Sequence, residues 1–177
     1  PVVFVENKSL YFRRENVPES PQPLPLGRAH VVRRGRDVTI VALSRLVGEA
    51  MIAADRLASD GIEAEVIDPR TLVPLDIETI AASVRRTGRA VVAHEAVRTG
   101  GLGAELAAEL QAAAFDYLDA PIQRVGAPFM PVPLSPPLED GYRPQSDDVY
   151  AAARHAVQWA DVEEPVPVSE SGTGQTE

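Results

Sequence analysis

Arg89-Ala-Val-Val-Ala-His-Glu-Ala-Val-Arg-Thr-Gly-Gly-Leu-Gly-Ala-Glu-Leu-Ala-Ala-Glu-Leu110 is the stretch on which the fold turns. It reads as a buried strand ending at His94 and Glu95, a glycine-bearing connection, and a helix entered through Gly100, Gly101 and Gly103. That succession belongs to open parallel α/β sheets, where ligand and partner chemistry gathers beyond the strand ends. Within the helix, Leu102, Leu106, Leu110, Ala113 and Tyr117 recur at spacings of three or four. They give one apolar face for the sheet, while Glu105 and Glu109 turn outward.

Working towards the N-terminus, Asp76 is placed to cap a helix that carries Ile77, Ile80, Ala81 and Val84 inward and closes at Gly88. Ahead of it, Ile62 to Ile67 reads as a strand, and the loop from Asp68 to Asp76 is held by Pro69 and Pro74. Val38-Thr-Ile-Val-Ala-Leu43 is apolar almost throughout, as a strand covered on both faces has to be. Ser44 is suited to cap the next helix, in which Leu46, Ala50, Ala54 and Leu57 share a face and Gly61 ends the run. Arg34-Gly-Arg-Asp37 reads as a hairpin turn joining an outer strand, Ala29 to Arg33, to the central one. Towards the C-terminus, Pro121 to Val125 is the last strand and Pro128 to Pro144 an irregular proline-rich strap. Asp147 and Asp148 then open a helix with Val149, Ala152, Ala156 and Trp159 on one side. Strands alternating with helices imply an α/β fold: a three-layer α/β/α domain with a mostly parallel sheet of about five strands and one antiparallel edge strand.

The flanks differ in character. Pro1-Val-Val-Phe-Val5 is an apolar β-type run at the first residue, with no methionine before it, and reads as the end of a longer chain. Four prolines between residues 17 and 27 predict an extended linker, and 161–177, rich in Glu, Pro, Ser, Gly and Thr, predicts a disordered acidic tail. That tail holds five acids and no base, more than half of the formal charge of −9 carried by the 177 residues. The acidic balance excludes a phosphate-tracking surface and with it nucleic acid as a partner. Absence of cysteine removes thiolate chemistry, thiolate metal sites and disulfides, which fits a cytoplasmic protein. No apolar run reaches membrane-spanning length, so no membrane is expected as a partner.

Few residues invite chemistry. Gly100, Gly101 and Gly103 at a helix start could cradle a phosphate, but no Lys-Ser/Thr follows and Glu105 would repel an anion; a tight turn with close packing is the competing reading. His94 and Glu95 could form an acid/base pair, yet neighbouring strand residues point to opposite faces. His30 and His155 lack partners at metal-ligand spacing, and Asp68 beside Pro69 and Arg70 reads as a turn or a structural pair. Arg13, Arg14, Arg33, Arg34 and Arg36 read as solvated faces. On residue patterns alone the chain is an α/β domain without a self-contained active site.

Several blocks carry a resemblance: 1–11 (Pro-Val-Val-Phe-Val-Glu-Asn-Lys-Ser-Leu-Tyr), Leu-Pro-Leu-Gly27, Glu65-Val-Ile-Asp-Pro-Arg-Thr-Leu-Val-Pro-Leu-Asp76, His94-Glu-Ala with Thr99-Gly-Gly, and Leu118-Asp-Ala-Pro121. In this order they resemble the β subunit of thiamine-diphosphate-dependent 2-oxoacid dehydrogenases of the pyruvate, branched-chain and acetoin type. The resemblance implies a division into 1–16, the end of an upstream pyrimidine-binding domain; 17–27, a linker; 28–160, a transketolase C-terminal-like domain; and the tail 161–177. It implies thiamine diphosphate and Mg in the complete enzyme, with every cofactor-activating group ahead of Pro1, so no catalytic, cofactor-binding or metal residue is expected here and these residues alone are expected to be inactive. Implied partners are a second β subunit, an α subunit and the peripheral-subunit-binding domain of the dihydrolipoyl acyltransferase. Asp119, in the Leu-Asp-Ala-Pro motif, is the residue the resemblance assigns to an arginine of that last partner, with a turn role as the alternative. The contrasting readings are a stand-alone flavodoxin-like nucleotide-binding module using Gly100 to Gly103, and the same domain in transketolase or deoxyxylulose-phosphate synthase. Asn7-Lys-Ser-Leu-Tyr11 and Ser135-Pro-Pro-Leu-Glu-Asp140 favour the β subunit over the other thiamine enzymes.

Overall fold

The apolar runs become five strands: β1 (His30–Arg33), β2 (Val38–Ala42), β3 (Ala64–Asp68), β4 (Ala90–Val97) and β5 (Gln123–Ala127). Between and after them lie the helices α1 (Leu46–Ser59), α2 (Ile77–Thr87), α3 (Leu102–Ala114), α4 (Pro136–Tyr142) and α5 (Ser146–Val157). This computed structural model describes Val3, residues 5–12, Arg14, Asn16, residues 19–20 and residues 23–159. The predicted tail 161–177 lies outside the described residues, as do parts of the first strand-like run and of the proline linker.

The sheet order is β1-β3-β2-β4-β5, with β1 antiparallel to β3 and every other pair parallel. β2 sits at the centre and is buried at all five positions, as its sequence, apolar except for Thr39, requires. On one face α1 and α5 pack Leu46, Leu57, Val149 and Ala153 against Ile40 and Val66. On the other, α2 and α3 pack Ile80, Leu106 and Leu110 against Val41, Ile67 and Val92. Each fully buried Leu or Ile contributes about 1.5–3 kcal/mol, so these two layers hold the fold. One polar seam crosses the second layer: the Thr39 hydroxyl meets Ser83 at 2.7 Å and Thr87 at 2.8 Å, satisfying three buried hydroxyls and fixing α2 on β2.

Five local expectations need correction. Residues 34–37 do not make a hairpin, because β3 inserts between β1 and β2. Instead the turn docks on the lead-in to β3, where the Arg36 and Asp37 N–H groups donate to the Glu63 carbonyl and Gly35 lies too close to the Ala64–Glu65 backbone for a Cβ. Ser44 does not cap α1; it takes a left-handed φ of 54°, and the helix starts at Leu46 after Arg45 with no side-chain cap. β4 runs on past His94 and Glu95 to Val97. The strap from Pro128 to Pro144 contains α4, which Pro136 and Pro137 start rather than prevent. On α3 the inward row is Leu106, Leu110 and Ala114, while Leu102 and Tyr117 remain exposed. Asp76 and Gly88 do bound α2 as expected: the Asp76 carboxylate accepts from Thr79 N–H and Gly88 has φ 68°.

Candidate docking sites at the two ends of the sheet

At the edge where β4 and β5 begin, Asp119 lies just before β5. Its N–H donates to the Gly88 carbonyl at 2.8 Å, and its Oδ2 lies 3.4 Å from Arg89 Nη1. The carboxylate rests against Gly88, where an added Cβ would stand only 2.8 Å from Asp119 Cγ. Gly88 therefore serves two needs, a left-handed helix terminus and room for Asp119. The side chain is 60% exposed, so a carboxylate positioned by its own backbone and by Arg89 still presents acceptor capacity to solvent. Phe115 and Tyr117 are exposed on the same segment.

The opposite edge is organised by a residue that sequence patterns passed over. Arg45 is 7% exposed and donates through Nε to Glu95 Oε1 (2.8 Å), through Nη1 to Glu49 Oε1 (3.0 Å) and through Nη2 to the Pro144 carbonyl (2.6 Å). Glu95 Oε2 in turn accepts from Asn7 Nδ2 at 2.6 Å, and Glu49 Oε2 accepts from Ser146 N–H. One guanidinium thus ties the start of α1, the end of β4, the entry to α5 and the segment upstream of the linker. A signal for it existed. A cation at a helix start opposes the helix dipole, so an arginine there has to be compensated by carboxylates.

His94 and Glu95 point to opposite sides, which rules out their acting as one acid/base pair. The His94 imidazole is 3% exposed and lies against α3; Cε1 would be 2.8 Å from a Cβ at Gly101, and Gly103 leaves it no more room. The glycines are the seat of this ring, so close packing is the reading that the geometry supports over a phosphate cradle. Neither His94 nitrogen has a hydrogen-bond partner among the described residues, and burial followed by the charge of Arg124 pushes its pKa below the usual histidine value. Elsewhere, Asp68 Oδ1 accepts from Arg70 N–H at 2.9 Å and forms a turn, and His155 packs edge-on to Trp159. Among the described residues no group of three or more His, Cys, Asp or Glu side chains could hold a metal ion, and no helix is long and apolar enough to cross a membrane.

A five-stranded sheet with one antiparallel pair, helices on both faces and a polar strand-end network is matched at the sequence level by the family model "Transketolase, C-terminal domain", over residues 27–149. The chain belongs to this family. This transketolase C-terminal domain is 44% identical over 158 residues to acetoin:2,6-dichlorophenolindophenol oxidoreductase subunit beta of Cupriavidus necator, covering 89% of the chain and 47% of that relative. It is 45% identical over 161 residues to pyruvate dehydrogenase E1 component subunit beta of Bacillus subtilis, covering 90% and 49%. It therefore spans about half the length of the curated relatives it matches. Among solved structures, a split gene transketolase described as an inactive beta4 tetramer superimposes with TM-score 0.65 at 34% identity, covering 82% of this chain and 48% of that one. A transketolase from Pichia stipitis, at 15% identity and TM-score 0.52, shares the fold.

Proposed function

We propose that the chain is the assembly and docking domain of the β subunit of a cytoplasmic, thiamine-diphosphate-dependent 2-oxoacid dehydrogenase, a heterotetramer with an α subunit, and that Asp119 receives an arginine of the acyltransferase's peripheral-subunit-binding domain. The observation that carries this reading is identity of 44–45% across nine-tenths of the chain to subunits named for acetoin and pyruvate oxidation. Asp119 supports the docking role because its carboxylate is exposed yet oriented, as bidentate recognition of a guanidinium requires. The glycines at the start of α3, the place where a phosphate cradle would lie, are filled by the His94 imidazole. The nucleotide-module alternative loses its phosphate cradle to the same imidazole.

The test is Asp119→Ala in the complete β subunit assembled with its α subunit. Loss of a desolvated pair predicts weaker binding of the acyltransferase domain by about 2–5 kcal/mol, with Asp119→Asn keeping shape but not affinity. Affinity should also fall with added salt. Unchanged affinity together with a lowered melting temperature would assign Asp119 to the Gly88 turn alone and overturn the docking role.

A further inference from the structure

In an open parallel sheet a ligand crevice forms beyond the strand ends, at the point where the strand order reverses. Here the chain passes from β2 to β3 on one side and then to β4 on the other, which puts that point between the ends of β2 and β4. Side chains of the chain itself meet there. Arg45, just past β2, donates through Nε to Glu95 Oε1 of β4 at 2.8 Å and leaves the second carboxylate oxygen free of it. That oxygen, Oε2, accepts from Asn7 Nδ2 at 2.6 Å.

Asn7 uses both ends of its amide. Oδ1 accepts from Ser9 N–H at 3.0 Å and from Ser9 Oγ at 2.8 Å, and the Asn7 carbonyl accepts from Leu10 N–H, so the residue also starts the 3₁₀ turn Lys8–Phe12. With Oδ1 committed to Ser9, the group turned to Glu95 is the donor Nδ2. An aspartate at this position would keep the turn and set two carboxylates against each other.

Burial does little to hold segment 5–12. Val5 and Phe12 are each 89% exposed, and a cavity of about 1010 Å³ lies among Val5, Leu10, Leu24, Leu43 and Leu72. The chain is tied down again only ahead of β1, where Gly27 N–H donates to Thr71 Oγ1 at 2.9 Å. A hydrogen bond to a charged acceptor is stronger than a neutral one, so the Asn7–Glu95 contact is the main anchor of the segment.

We infer that the strand-end crevice of this domain is an intrachain docking site whose occupant is segment 5–12, with Asn7 as the latch, Glu95 as its acceptor and Arg45 as the residue that orients Glu95. The latch needs only this chain. On the β-subunit reading the segment is the exit of an upstream domain, and the latch sets that domain's register on this one.

Lys8, beside the latch, is the only lysine in the sequence, so a lysine-specific protease cuts the chain at a single bond and reports release of the segment. Rates are measured on the full chain and divided by those of the free peptide 1–16 carrying the same residue 7. Wild type should be protected relative to its peptide. Asn7→Asp should be cut at least about tenfold faster than wild type, and Asn7→Asp/Glu95→Gln should return to within about twofold of it, since the exchanged amide donates to the exchanged carboxylate. The melting temperature of Asn7→Asp should stay at the wild-type value, because residue 7 lies outside both core layers. Wild-type cutting at the peptide's rate, equal rates for Asn7→Asp and wild type, or no recovery in the double variant overturns the inference. Faster cutting that comes with a lowered melting temperature overturns it too, since the domain would then be unfolding rather than releasing the segment. Each of these outcomes leaves the β-subunit reading standing.

Discussion

His94 is an imidazole sealed between α3 and the sheet, with no partner for either nitrogen among the described residues and with Arg124 contributing to the depression of its pKa. Above about pH 6.5 the ring is neutral in both folded and unfolded chains and adds no pH dependence. Below that value the unfolded chain takes up a proton and the folded one does not, so stability should fall with acidity until the lower folded-state pKa is reached. His94→Gln should flatten the decline in melting temperature between pH 7 and pH 5, and an unchanged slope would locate the acid sensitivity elsewhere. Residue-scale sequence reading placed His94 and Glu95 on opposite faces from strand alternation alone. It could not see that Gly101 and Gly103 are spaced to receive the ring, because that contact joins a strand to the helix after it. Nor did it see Arg45, whose partners lie 4, 50 and 99 positions away; only the mismatch of a cation with a helix start hinted at it.

At the scale of elements, α2 shows how a local signal survives into tertiary structure. Asp76 accepts from Thr79 N–H and Thr79 Oγ1 and also from Ala29 N–H at 2.9 Å, so the cap pins the lead-in to β1 as well as its own helix. Desolvation raises its pKa, but these hydrogen bonds and the nearby Arg28 outweigh it and the net shift is downward. The contribution is therefore present above the unfolded value near pH 4 and is lost as pH falls through the folded one. Asp76→Ala should cost about 0.5–2 kcal/mol at neutral pH, measured by urea unfolding, with the difference from wild type shrinking towards pH 3. A gap that persists undiminished at pH 3 would show that charge and capping are not its source. Strand and helix identities were legible because period and capping are local. The pairing of β1 with β3 was not, since no property of 34–37 says which strand will lie beside the outer one. α4 was hidden for a related reason: Pro136 and Pro137 read as breakers unless one knows that a helix begins with them.

At the scale of the whole molecule, the two ends of the sheet carry different chemistry, and α3 presents a third surface between them. Ala108 and Ala112 are exposed on its outer side, and the row continues to Phe115, 68% exposed, four positions before Asp119. Small residues followed by an uncovered aromatic allow two copies to approach closely, and a two-fold axis along this row would make the contact isologous, each Phe115 meeting the same patch on its mate. That arrangement would also bring two Asp119 carboxylates to one side of the dimer, where a single binding domain could reach both. Phe115→Asp should therefore raise the dimer dissociation constant of the β subunit at least about tenfold by sedimentation equilibrium, since an unpaired charge would be buried in the contact. On the reading proposed above, with a binding domain that spans both copies, the same variant should also weaken acyltransferase docking although Asp119 is intact. An Asp119→Ala chain, by contrast, should remain a dimer while docking fails. If Phe115→Asp leaves both self-association and docking at wild-type strength, the axis does not run along α3 and the pairing surface must be sought on another face.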